Sequence, residues 1–290
     1  MTSPKMPDVR WVPMTWPDLT ECPRPDPDHR LRYGEDSLQV VDLWLPKGQP
    51  AGRWPTVLMV HGGCWQSAIA DRRLMDWAAA DLRTRGYAVW NIDYRGVDRD
   101  GGGYPGTFDD AAAAADLLRC HADAFGLDLS HVVALGHSAG GHLALWLAAR
   151  HRLPPESILA GGDPLRIAHV ISLGGLPDLA AVESSPDNGC GTDVIVRLVG
   201  ERADRFADTS VPDLLPIGVP IDLLNGRDDR IVPARMAPDF ARMARERGDD
   251  VTLHEVDNTG HVELIAPGTP AWEAAVALLI RAGCGNAPGD

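Results

Sequence analysis

Three short stretches hold residues that could together transfer an acyl group. Ser138 sits in Gly136-His137-Ser138-Ala139-Gly140, a pair of aspartates in Asn225-Gly226-Arg227-Asp228-Asp229, and His261 in Asn258-Thr259-Gly260-His261. A serine hydroxyl is a poor nucleophile at neutral pH and needs a base to take its proton, and the base needs an acid to orient it. Glycines two residues either side of Ser138 allow a tight turn that lifts the hydroxyl clear of a sheet. The pentad alone is a common pattern. Its weight comes from its place between an apolar run (HVVALG) and a helical one (SAGGHLALWLAAR).

Ten histidines compete for the role of base. His254 lies inside a strand pattern, His131 begins one, and His121, His142 and His151 fall on helices, where packing explains them. His137 neighbours Ser138 and is expected to point away from it. Only His261 has a glycine-flanked loop near the end of the chain. For the acid, Asp228 and Asp229 follow one strand pattern, and Asp257 is an alternative. His61-Gly62-Gly63-Cys64-Trp65 follows another. The N–H groups of Gly63 and Cys64 in that turn, with that of Ala139, could bind the oxyanion of a tetrahedral intermediate. Cys64 reads as a wall residue without a histidine placed to ionise it. Trp65 is expected to line the substrate pocket, whereas Trp77, Trp90 and Trp146 read as core.

Strands and helices must bring these stretches together. Short apolar strand patterns cover Leu38 to Leu45, Thr56 to Val60, Tyr87 to Asp93, His131 to Gly136, His169 to Leu173, Pro220 to Leu224 and Val251 to Val256. Helical spacing covers Asp71 to Arg85, Phe108 to Phe125, Ser138 to Arg150, Ala234 to Arg247 and Ala271 to Ala282. This alternation predicts an α/β fold, with a mostly parallel sheet covered by helices on both faces. Ser138, the aspartates and His261 then all fall just past strand ends, on the sheet edge where such folds bind ligands. Residues 1–32, rich in Pro, Asp and Arg, read as an irregular N-terminal arm. Residues 174–214 read as an insertion near the site. With no repeat or linker dividing it, residues 1–290 are expected to form a single domain.

The net charge of −14 argues against a nucleic-acid partner, which needs a cationic surface. Five cysteines, Cys22, Cys64, Cys120, Cys190 and Cys284, are scattered without a C-x-x-C pair, so neither a disulfide framework nor a zinc site is expected. No ligand cluster suggests a metal or an organic cofactor. The start of the chain lacks an apolar signal core, and no apolar run approaches membrane-spanning length. A cytoplasmic location without membrane contact is the default expectation, as a monomer or homodimer.

Taken together, HGGCW, NIDYRG, GHSAGGHLAL, G-x-x-D-x-x-V-P and GHVELIAP resemble the α/β-hydrolases of the esterase/lipase group, from about Tyr33 to Ala282. The resemblance implies a central sheet of about eight strands, with Ser138 as nucleophile and His261 as base. The spacing G-x-x-D-x-x-V-P places the family's acid on Asp229 rather than Asp228. His-Gly-Gly-x-Trp looks most like the kynurenine formamidase and related carboxylesterase branch, with Cys64 where formamidases commonly carry an aromatic residue. The implied activity is a carboxylesterase on small-to-medium acyl esters, working without cofactor through an acyl-enzyme. An arylformamidase cleaving an N-formylkynurenine-type amide is an alternative of the same class. A non-catalytic ligand-binding relative is one of a different class.

Overall fold

A computed structural model describes residues 11–48, 50 and 52–283. Its eight strands are β1 (His29–Arg32), β2 (Val40–Trp44), β3 (Thr56–Val60), β4 (Ala88–Ile92), β5 (Val133–His137), β6 (His169–Leu173), β7 (Ile221–Gly226) and β8 (Val251–Val256). They form one sheet in the order β1-β2-β4-β3-β5-β6-β7-β8. The first two pairings are antiparallel and the other five parallel, so the expected mostly parallel sheet of about eight strands is present. The helices are α1 (Trp16–Thr20), α2 (Asp76–Thr84), α3 (Gly106–Phe125), α4 (Ala139–Ala149), α5 (Leu179–Glu183), α6 (Asp193–Val199), α7 (Met236–Glu246) and α8 (Pro270–Arg281).

The central strands are buried on both faces, which is why they read as unbroken apolar runs. Successive side chains of a strand point to opposite faces. On β3, Leu58 and Val60 accordingly join the core that contains α3, α4 and α7, while Val57 and Met59 join the one that contains α2 and α8. Trp90 and Trp146 sit in the first core and Trp77 in the second, as expected of them. Every residue of α4 is buried, which explains the absence of a polar face in its sequence.

Residues 11–32 depart from the irregular reading. Thr15 and Asp18 form a capping box and Pro17 stands in the first turn, which together start α1. Strand β1 then pairs with β2 from His29↔Leu43 to Arg32↔Val40. It is polar and exposed, so no apolar alternation betrayed it. The segment 174–214 contains α5 and α6, both under eight residues and too short to show a clear period.

The chain runs from β3 outward to β4, then crosses back over β3 to β5. Connections therefore leave in opposite directions from the neighbouring strands β3 and β5. A crevice opens at such a switch point, outside the carboxyl ends of the strands. His61 follows β3, and Ser138 follows β5.

Candidate active site

Ser138 joins β5 to α4 with φ 55° and ψ −122°, a backbone conformation that ordinary side chains rarely adopt. Both flanking glycines are required by close approach rather than by torsion. A Cβ on Gly136 would lie 2.1 Å from the carbonyl oxygen of Gly140, and one on Gly140 would lie 2.2 Å from that of Val60. The strained turn leaves Ser138 lining a cavity of about 430 Å³ shared with His261, His137, Gly63 and Cys64.

His261 lies on the loop after β8, and its Nδ1–H donates to Oδ2 of Asp229 at 2.7 Å. Both side chains are buried. The second Asp229 oxygen accepts the backbone N–H groups of Ile231 and Val232 at 2.8 and 3.0 Å. Burial pushes the Asp229 carboxyl up, but the bond to His261 and these backbone donors outweigh it and hold it below its ordinary value. Asp229 is thus an ionised acceptor near neutrality, and it leaves Nε2 of His261 free to take a proton. Asp228 and Asp257, the competing carboxylates, are exposed, and Asp257 pairs with Arg227. Ser138 Oγ makes no hydrogen bond to the imidazole among the described residues. Such contacts are often long without substrate and close when one binds.

On the other side of Ser138 the chain turns through Gly63, Cys64 and Trp65, the last two with φ of 53° and 54°. The N–H groups of Gly63, Cys64 and Ala139 donate no hydrogen bond among the described residues. Ala139 heads α4, where the first N–H groups of a helix are unpaired and carry its positive end. Beneath the turn lies a buried ionic lattice. His61 Nε2 is 3.0 Å from Asp93, and Arg72 bridges Asp93 at 2.8 Å and Asp42 at 2.6 Å. The Tyr94 ring stacks on His61, and its hydroxyl donates to the His61 carbonyl.

Three sequence expectations are corrected here. Trp65 does not line the cavity. The left-handed backbone at Cys64 and Trp65 turns the indole inward, where it is fully buried and its N–H donates to His142 Nδ1. His137 does not point away from the site. Its Nε2–H donates to the His261 carbonyl at 3.1 Å, and its ring lies 4.4 Å from that of His261. Burial and the neighbouring His261 hold it well below the ordinary histidine value, so it is neutral. Finally, two of the scattered cysteines are paired, for Cys64 and Cys190 form a disulfide across 126 residues. It ties the turn to the segment 174–214, whose Gly189 lines the cavity and donates to the Ile231 carbonyl at 2.7 Å. Cys22 and Cys120 are free, and Cys284 lies outside the described residues.

The arm also reaches the site, which its composition did not suggest. Trp16 of α1 lines the cavity and packs edge-on to both His137 and His261. Its one sequence signal is the capping pattern Thr15-x-x-Asp18 around Pro17. Among the described residues no cluster of His, Cys, Asp or Glu could hold a metal ion, and no helix is long and apolar enough to cross a membrane.

Comparison with known proteins follows the same geometry. The family model BD-FAE matches residues 41–243, more than half of the chain. The chain belongs to the BD-FAE family. Esterase LipC of Mycobacterium tuberculosis is 27% identical over 241 residues, covering 80% of this chain and 59% of LipC. Among solved structures, a tributyrin phosphonate-inhibited esterase B from Lactobacillus rhamnosis superposes with a TM-score of 0.74. It is 19% identical, covering 90% of this chain and 87% of that one. Thermogutta terrifontis esterase 2 superposes with a TM-score of 0.72 at 22% identity, covering 88% and 95%. The fold is that of the α/β-hydrolase esterases. The chain spans 59%, 33% and 50% of the length of three curated relatives that it matches. The formamidase branch gains no support from these likenesses.

Proposed function

We propose that this BD-FAE family member is a serine carboxylesterase acting on small-to-medium acyl esters. The observation that carries the reading is the cavity at the switch point. It joins a strained serine, a histidine fixed by a buried aspartate, and main-chain donors without partners. Esterase relatives of the same fold support it.

In this reading Ser138 Oγ attacks the ester carbonyl carbon while His261 Nε2 takes its proton. Asp229 holds the imidazole in the productive tautomer and stabilises its cation. The carbonyl oxygen becomes an oxyanion held by the N–H groups of Gly63, Cys64 and Ala139, a kind of contact worth a few kcal/mol of transition-state stabilisation. The carbon–oxygen bond to the alcohol then breaks, and His261 returns the proton to the departing alkoxide. A water deacylates the serine by the same steps in reverse, with His261 again as base. No step needs a metal or an organic cofactor.

No lining residue of the cavity is Asp, Glu, Lys or Arg, which favours a neutral substrate over a charged one. A net charge of −14 disfavours polyanionic partners in the same way. The Cys64–Cys190 bond weighs against the cytoplasmic expectation, because such bonds persist in oxidising compartments and are rare in reducing ones. The test is p-nitrophenyl butyrate hydrolysis by the native protein and by Ser138→Ala. The variant should lose roughly 10⁴-fold or more of kcat and all labelling by a fluorophosphonate. Full turnover by Ser138→Ala would overturn the assignment.

A further inference from the structure

The cavity has two sides, and the mechanism distinguishes them. His261 gives its proton to the leaving alkoxide, so the alcohol portion of an ester must lie against the imidazole during acylation. The residue that flanks the imidazole there comes from the arm. Trp16 packs edge-on to His261 with ring centroids 6.1 Å apart, and it stands 6.2 Å from His137. It remains 36% exposed, so part of an aromatic surface is left open in a cavity whose lining also includes the apolar side chains of Ile69, Ala70, Leu74 and Ile231.

The position of Trp16 is built rather than incidental. Glu263, buried and two residues past the base, accepts the Met14 N–H with Oε1 at 2.6 Å and the Gly260 N–H with Oε2 at 3.0 Å. One carboxylate thus fastens the arm to the loop that carries His261. Thr15 and Asp18 then fix the start of α1 so that Trp16 leads it.

Building on the carboxylesterase reading above, we propose that Trp16 is a specificity-determining residue on the leaving-group side. It selects esters of neutral aromatic alcohols over those of small aliphatic ones. An aryl or benzyl group placed there meets the exposed indole and the apolar rim in place of water. A well-placed aromatic pair of this kind corresponds to about tenfold in rate.

The experiment compares two series on the native protein, Trp16→Ala, Trp16→Leu and Trp16→Phe. One series holds the acetyl group and varies the alcohol (ethyl, benzyl, phenyl). The other holds one alcohol and lengthens the acyl chain. Trp16→Ala should lower kcat/KM for benzyl and phenyl acetate about tenfold relative to ethyl acetate. It should leave the ratio along the acyl series as it is in the native protein. Trp16→Phe should recover most of the aromatic preference, and Trp16→Leu little of it. The effect belongs to kcat/KM, because esters that share an acyl group share the deacylation step. A uniform loss across both series, as a merely structural role would give, overturns the proposal, as does a shift in acyl-length preference. Either result leaves the hydrolase reading standing. Absence of hydrolysis in both series, with Ser138 unlabelled by a fluorophosphonate, overturns that reading and the proposal with it.

Discussion

The two flanks of Ser138 sit on the same sheet edge but are held by different physics. On one flank, the His61–Trp65 turn keeps two non-glycine residues in left-handed backbone. It is fixed by the buried charges of Asp42, Arg72 and Asp93, by the stacked Tyr94, and by a disulfide. On the other, the loops bearing Asp229 and His261 contain left-handed backbone among non-glycine residues only at Asn258, a residue type that tolerates it. Main-chain bonds hold them, from Asp228 N–H to the Thr259 carbonyl at 2.9 Å and from Arg227 N–H to the Val256 carbonyl at 3.0 Å. Strained backbone persists only where its surroundings over-determine it. The first flank is therefore built for rigidity, and the second for keeping one imidazole in one tautomer.

The contrast breaks most sharply at the acid. Asp229→Asn keeps the volume but removes the charge, so the amide holds the ring in a different tautomer. We expect kcat to fall roughly 10³- to 10⁴-fold, with the melting temperature changed by only a few degrees. A variant retaining more than a tenth of native kcat would show that Asp229 does not orient His261.

On the other flank the expected damage is to the fold. Arg72→Met leaves Asp42 and Asp93 buried without their shared cation, a change that costs about 3–5 kcal/mol in comparable buried pairs. Asp42 keeps Arg30 at 2.7 Å and Asp93 keeps His61, which places the loss toward the lower figure. Urea unfolding measures it. A loss below about 1 kcal/mol would mean that the lattice does not support the turn.

These differences explain which parts of the site were legible in the sequence. Ser138 and His261 stand just past strands and near glycines, which are visible in a linear pattern. The same pattern leaves Asp228 and Asp229 open, and only the resemblance to the hydrolase spacing G-x-x-D-x-x-V-P favours Asp229. The long helices and buried strands were legible for a similar reason, since each repeats an apolar period. Cys64 and Cys190 meet only because the segment 174–214 folds back over the turn, and no local spacing reports a contact across 126 residues. Trp65 was misplaced because the left-handed turn at Cys64 and Trp65 sends its side chain inward. His137, the last residue of β5, follows the strand's alternation onto the face of Val133 and Leu135, where the loop of His261 and Val262 packs, and that packing is not visible in a linear pattern. The arm hid Trp16 because α1 is a single turn defined by its cap.

The disulfide tests how far the segment 174–214 contributes to that rigidity. Cys190→Ser unties the turn from the cavity wall while leaving the ionic lattice in place. A bond closing so long a loop typically contributes about 2–4 kcal/mol. The expected signature is a lower urea midpoint in the variant, matched by the native protein in dithiothreitol. A midpoint unaffected by either change would place the turn's stability in the lattice alone.

Acid should separate the flanks most finely. His142 holds the buried Trp65 indole N–H on Nδ1 and donates from Nε2 to the Thr209 carbonyl at 2.8 Å. Complete burial pushes it down to about 4, from an ordinary 6.5. The unfolded chain therefore binds a proton that the folded one refuses between those values. The contribution of His142 is greatest above pH 6.5 and falls as pH drops toward 4, by about 1.4 kcal/mol per unit within the window. The buried Asp76 carboxyl, pushed up to about 7, acts with the opposite sign over the same range. His137, also depressed by burial, acts with the same sign as His142. Asp229 behaves oppositely in position. Its carboxyl is held below 3.8, so its contribution is present through the upper part of that window and is lost as pH falls toward and below 3.8. Urea unfolding of the native protein and of His142→Gln at pH 7, 6 and 5 should give slopes of stability against pH that differ by about one proton, the native protein losing more toward acid. Gln can still accept from Trp65 and donate to Thr209, so identical slopes would mean that the folded protein does not hold His142 neutral.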